Sequence, residues 1–229
     1  MVKENVSVTD KVAAAITDAI IQHRLVAGTK LVEQSLATMF GVSRTIVRQA
    51  LIRLEREKLI KLEPAKGASV ATPSVEETRQ IFATRRLIEI PMIREFVRNA
   101  RPGDIRQLSN HLQKEQSACQ YVDVRGRTRM LADFHVQIAM MTGNLVLAEL
   151  LSQLVSRTSL AAMLYQTNFS AQHSSNEHLE LLAAIEAKQV DLAGELMDQH
   201  LRNVEASLQL DSALTDMRLA LLPEDVAHQ

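Results

Sequence analysis

The stretch "LVEQSLATMFGVSRTIVRQALIRLEREKLI" (residues 31–60) carries two helical patterns separated by one glycine. In "EQSLATMF" the residues Leu36, Met39 and Phe40 recur at helical spacing and are expected to face inward. Gly41 supplies the tight turn. From Ser43 onward Val47, Ala50, Leu51 and Leu54 define one face of a longer helix, while Arg44 and Arg48, four residues apart, share another. A short helix, a tight turn and a second helix that opens with arginine is the order of a helix-turn-helix.

The flanks extend this order. In "VTDKVAAAITDAIIQHRL" (residues 8–25), Val12, Ile16, Ala19 and Ile20 form an amphipathic stripe, and Ser7 or Thr9 is placed to cap its start. On the other side, in "LIKLEPAKGASVATP" (residues 59–73), two short runs, Leu59 to Glu63 and Ala68 to Ala71, flank Pro64, Lys66 and Gly67. This predicts a β-hairpin with a basic tip. Three helices followed by a hairpin is a winged helix-turn-helix, a fold whose chemistry suits double-stranded DNA. Arg44 and Arg48 stand where a recognition helix reads base edges. Ser43 and Thr45 offer hydroxyls to phosphate at the helix N-terminus, and Lys66 with Gly67 lets the wing approach the backbone closely. One arginine pair alone would be an ordinary solvated face; the whole ordered set argues otherwise.

Charge agrees. Residues 1–74 hold 11 Lys and Arg against 7 Asp and Glu, whereas the remainder holds 15 against 20, and the whole chain carries a net charge of −1 over 229 residues. A basic head on an acidic body points to a polyanionic partner for the head. Hydrophobic residues at 46%, aromatics at 3% and charged residues at 23% favour a globular, mainly helical protein. Glu4, Asp10 and Asp18 interrupt the first twenty residues, so no secretory signal is expected. No run approaches 18 uninterrupted apolar residues, so no membrane span is expected. The single cysteine, Cys119, cannot close an internal disulfide, which fits a reducing cytoplasm.

From Ser74 onward the chain shows no β-like alternation. Helices are predicted at about 75–100, 103–123, 127–141, 144–166, 174–187 and 191–211, with a short one in 212–221. Joined by short breaks, they predict an antiparallel bundle. The expected division is a winged helix-turn-helix over residues 1–73 and an all-helical domain over 74–229. Of the seven histidines, His23, His111, His173 and His228 show no spacing that suggests a site and are expected to be solvated or capping. His178 and His200 differ, because they stand equidistant from Gln189, inside the predicted turn, and so lie level on neighbouring helices. With His135 from another helix they form either three core histidines bonded to neighbours or a three-nitrogen metal site. Asp133, two residues before His135, points about 200° round the helix and cannot share that metal.

The stretch from Leu31 to Leu54 resembles the GntR transcription-factor family, whose hallmark reads L-x-E-x-x-L-A-x-x-x-G-V-S-R-T-P-V-R-x-A-L-x-x-L; the likeness covers about residues 7–72. It implies operator contacts for Arg44, Thr45 and Arg48 and a wing at Lys66 and Gly67. Ile46 stands where the family has proline, and Gln34 where some relatives carry a DNA-contacting arginine. Residues 75–211 resemble the helical effector domain of the FadR-like (FCD) branch, through "RRLIE" (85–89), "FHVQIAMMTGN" (134–144) and "EHLELLAAIEAKQVDLAGELMDQHL" (177–201). That resemblance implies that the domain over 74–229 serves effector binding and dimerisation. It implies a divalent metal, zinc or nickel first, on His135, His178 and His200, and a small carboxylate effector beside it. It also makes Arg86 a candidate for pairing the effector, or else for a buried ion pair such as one with Glu89. The family's aspartate ligand would fall at Leu131, so water or the effector would complete the coordination.

These readings together predict a homodimeric transcriptional regulator, a repressor by the family's commoner mode, that binds a palindromic operator. Two alternatives stand beside it. In one, the histidines bind the effector without metal. In the other, a three-His metal activates water in a hydrolase; the sequence places no general base near His135, and the DNA-reading head speaks against it.

Overall fold

The computed structural model describes residues 7–120, 124–166 and 171–210. The expected helix in 212–221 and His228 lie outside them. The head begins with α1 (Val8–Ile21), whose N-cap is Ser7: its hydroxyl accepts from the Asp10 amide, and Asp10 returns the bond to the Ser7 amide. Then follow β1 (Lys30–Leu31), α2 (Glu33–Phe40), α3 (Arg44–Arg56), β2 (Ile60–Glu63) and β3 (Gly67–Val70). The antiparallel sheet has the order β1-β3-β2, with Glu63 opposite Gly67 and Lys30 opposite Ser69. The hairpin was expected, whereas β1, at two residues, is too short to leave a periodic signal.

Within the head Val47, Ala50, Leu51 and Leu54 are buried against Ile16, Ile20 and Val70. Met39, expected inward, is 76% exposed; Ala37 is the buried residue of α2, with Leu36 and Phe40 packed at the margin. An eight-residue helix presents fewer than three turns, so the small residue fits under α3 and the large one stays outside. Gly41 has φ 63°, the left-handed conformation that ends α2 and starts the turn.

The body comprises α4 (Val75–Asn99), α5 (Pro102–Gln120), α6 (Val124–Met141), α7 (Leu145–Tyr165), α8 (Ala171–Glu186) and α9 (Val190–Ala206). The expected break around Gly126 is absent, since α6 runs through it. Ser74 caps α4 by accepting from the Glu77 amide. Pro91 lies on the exposed face of α4, where its ring is accommodated inside the helix. Phe96, Phe134, Ile138, Leu151, Leu181 and Met197 form the middle of a continuous core shared by all but the outer turns. Lys188, in the α8–α9 turn, donates to the carbonyls of Val97 and Ala100 at 2.9 and 2.8 Å, satisfying the C-terminus of α4. Helix α7 is long and apolar enough to cross a membrane by length and composition. Here, however, it is a core helix, with Ser156, Thr158 and Ser159 buried alongside its leucines.

Head and body are packed together. Leu160 of α7 is fully buried within the head's own core. Asp18 of α1 pairs with Arg129 of α6 at 2.6 Å, and the Tyr165 hydroxyl donates to the Pro73 carbonyl at 2.8 Å. The apolar contact dominates, because the ion pair is more than a third exposed and worth about 0–1 kcal/mol. Leu160→Ala is therefore expected to destabilise the protein by about 2–5 kcal/mol, and Asp18→Ala by less than about 1 kcal/mol. Urea denaturation followed by circular dichroism measures both.

Candidate DNA-reading surface and metal centre

At the start of α3, Ser43 is the N-cap and accepts from the Ile46 amide at 3.3 Å. The departure from the family's proline thus has a local use: only a residue with an N–H can donate this bond. Thr45, Arg44 and Arg48 are exposed on the first turns. Both guanidiniums lean on Glu33 of α2, Arg44 at 3.5 Å and Arg48 at 3.1 Å. Gln34 is exposed beside them, its backbone carbonyl accepting from Thr38. At the wing tip Lys66 is 75% exposed at its side chain and lies 3.6 Å from Glu63, while Gly67 adopts φ 83°. The sequence-predicted DNA residues therefore occupy one helix start and one hairpin tip, all facing solvent.

The second site lies inside the bundle. His135 (α6), His178 (α8) and His200 (α9) are 4%, 0% and 3% exposed. The hairpin symmetry about Gln189 does bring His178 and His200 level: their Nε2 atoms are 3.4 Å apart, and His200 Nε2 is 3.3 Å from His135 Nε2. The ring of His178 is further fixed by stacking on Phe134, with centroids 3.9 Å apart and planes 16° apart.

Each ring is also held from behind by a carboxylate. His135 Nδ1–H donates to Glu89 at 2.5 Å, His178 Nδ1–H to Glu115 at 3.0 Å and His200 Nδ1–H to Glu177 at 2.7 Å. With the Nδ1 protons so placed, all three Nε2 lone pairs face a common point. Burial pushes His135 down to about 3, against the pull of Glu89, and moves His178 well below its usual value with the help of His200. Burial also raises the Glu115 carboxyl to about 7. It would raise Glu89 too, but Arg85 and His135 outweigh it and hold that carboxyl at about 2. Three imidazoles with their outer nitrogens tethered to carboxylates are the donor set of an open three-nitrogen metal centre.

The centre opens on a cavity of about 300 Å³ lined by the three histidines, Arg85, Leu131 and Thr158. Leu131 lies one helical turn before His135 and presents hydrocarbon where the family would place its aspartate. Asp133 is turned away and bonded to Arg129 at 3.3 Å.

Arg86, expected either to meet the effector or to form a buried ion pair, is paired with Glu205 rather than Glu89 on the outer side of α4, where it lines a separate groove with Leu87 and Arg94. Its neighbour Arg85 is the residue in the cavity: Nε donates to Glu89 at 2.6 Å and a terminal nitrogen to Thr158 at 3.3 Å. The signal was present in the sequence, since Phe82, Arg85, Glu89, Met92 and Phe96 fall on one buried stripe and Arg86 falls off it. Glu115 had no such signal. His111, expected solvated or capping, is 7% exposed and bridges α5 to α6, donating to the Met130 carbonyl and accepting from Gln137, both at 2.9 Å. His173 is largely exposed, 3.2 Å from Glu177. His23 was also expected to be solvated or capping. It lines the cavity with its Nε2 buried, and burial lowers its pKa while the Ser159 backbone works in the opposite direction.

Residues 8–70 match the gntR family of bacterial regulatory proteins, and residues 80–203, more than half of the chain, match the FCD domain. The chain belongs to the GntR family, in its FCD branch. Among relatives of this GntR protein, the "Uxu operon regulator" of Haemophilus influenzae is 32% identical over 200 residues, covering 79% of this chain and 74% of its own length. The transcriptional regulator McbR of Escherichia coli is 29% identical over 189 residues, covering 81% and 85%. The solved structure of E. coli McbR/YncC superposes with a TM-score of 0.82 at 23% identity, over 90% of this chain and 99% of that one, which establishes a shared fold. These relatives are named as regulators of transcription, and the GntR chain is a DNA-binding regulator of the same type.

The Ser43 cap gives a direct test of the local geometry. Ser43→Ala is expected to destabilise the head by about 1 kcal/mol. In an Ile46→Pro background, where the amide donor is already gone, the same change is expected to have almost no effect; thermal denaturation of the four proteins closes the cycle.

Proposed function

We propose that this protein is a metabolite-responsive repressor that binds a palindromic operator as a homodimer, with residues 1–73 reading DNA and residues 74–229 sensing a small carboxylate. The observation that carries the reading is that one chain joins an arginine-bearing recognition helix to a cavity in which three imidazole nitrogens and a guanidinium converge. Arg44 and Arg48 read base edges, Thr45 and Ser43 meet phosphate, and Lys66 and Gly67 carry the wing against the backbone. The reading is of a cytoplasmic regulator and not of an enzyme. Replacing Arg44 and Arg48 by alanine is expected to abolish sequence-specific binding in an anisotropy titration, with the fold retained.

His135, His178 and His200 would hold a divalent ion, zinc or nickel before others, and the ion would supply a Lewis-acidic point for an effector carboxylate. Leu131 leaves the remaining coordination positions to water or ligand, and Arg85, in place of Arg86, is positioned to pair the anion. Glu89, Glu115 and Glu177 orient the ligating rings. On this reading Glu89→Gln lowers zinc affinity by about 10–100-fold, and His178→Ala removes stoichiometric zinc from untagged protein. Competition with a chromogenic chelator and elemental analysis measure these effects.

One observation favours a second version: Leu131 replaces the only carboxylate the family would add, so the three histidines would then bind the effector directly. Untagged protein that carries no metal yet answers carboxylates with a change in operator affinity would establish that version and overturn the first.

A further inference from the structure

We propose that His23, carried by the DNA-binding head, is the head's own contact with the carboxylate bound in the bundle cavity, so that one ligand bridges head and body. The inference rests on the effector reading above and adds the residue through which the head senses occupancy.

His23 follows the last turn of α1 and takes φ 53°, a left-handed conformation uncommon outside glycine, with its amide donating to the Ile20 carbonyl at 2.9 Å. Its ring joins the cavity lining, alongside the three bundle histidines and Arg85. Among the described residues, two nitrogens in this lining are buried without a hydrogen-bond partner: Nε2 of His23 and Nη2 of Arg85. Arg85 is only 3% exposed, and its other nitrogens are committed to Glu89 and Thr158, which leaves Nη2 without a hydrogen-bond partner among the described residues. Buried donors are rarely left unmatched, and a carboxylate offers several lone pairs on two oxygens. A small carboxylate can therefore accept from a donor of the body and a donor of the head at once. Helix α1 already packs on α6 and α7, around Leu160 and the Asp18–Arg129 pair. The bound ligand adds a contact that exists only while the head is docked, and a ligand shifts an equilibrium by its differential contact with the two states.

The test uses full-length, zinc-loaded protein labelled with ¹⁵N-histidine and titrated with acetate, malate and citrate. The His23 ring signals are expected to move with the same midpoint as those of His135, His178 and His200. His23→Ala is expected to weaken carboxylate binding about tenfold, whereas His23→Gln, which keeps an N–H near the same place, recovers most of it; zinc affinity stays unchanged in both. At saturating carboxylate, the response of operator affinity is expected to be lost in His23→Ala. If a carboxylate moves the bundle histidines and leaves His23 still, or if His23→Ala binds carboxylate as the wild type does, the inference fails while the effector reading stands. If none of the three moves any histidine signal, the carboxylate reading fails and this inference fails with it. The wild-type titration decides the matter even if a variant does not fold.

Discussion

The fully buried carboxylate of Glu89 joins α4 to α6 through the bond from His135 at 2.5 Å, and Arg85 of the same helix holds it from the other side at 2.6 Å. An ionised group at that depth is tolerated only because both partners are present and well aimed. It fixes the His135 ring, the His135 ring fixes where Nε2 points, and the other two imidazoles meet it there. Glu115 and Glu177 repeat the arrangement from α5 and from within the α8–α9 hairpin. The interior of the bundle is therefore a polar network that specifies which helices are neighbours and in what register, with the apolar core packed around it.

The same network limits where the head can sit. Arg85 contacts Thr158 of α7, and two residues further along the same helix Leu160 enters the head's core. A displacement of α7 that disturbed Arg85 would also disturb the surface that α1 rests on. Site and head are linked through one rigid element, which is shorter and stiffer than a path through loops.

Much of this was legible in the sequence, for reasons particular to each part. The stripe of Val47, Ala50, Leu51 and Leu54 is strictly helical, and all four residues are buried as it requires. The level placement of His178 and His200 followed from symmetry about Gln189, a consequence of a tight helical turn. The resemblance pointed to Arg86, yet one residue turns a helix by about 100°, and it is Arg85 that falls on the buried stripe and lines the cavity. Glu115 and His23 had no local signal at all. Their roles come from elements that meet only after folding, and periodicity along one helix does not encode what a distant helix brings to it. Met39 shows the opposite failure, a good apolar period on a helix too short to bury it.

Glu33 touches both Arg44 and Arg48, so on the proposed reading the two arginines of the first turns of α3 would reach DNA already partly neutralised from within. Each arginine that engages a phosphate or a guanine must leave an internal carboxylate, and part of the electrostatic gain of binding is spent on that exchange. Non-specific attraction to the duplex, which depends on charge alone, is lowered in proportion. Base-edge contacts gain in relative weight, because bidentate geometry on guanine competes better with a carboxylate than a loosely held phosphate does. On the proposed reading, one acidic residue on the neighbouring helix would thus shift the balance of the head from adhesion toward discrimination.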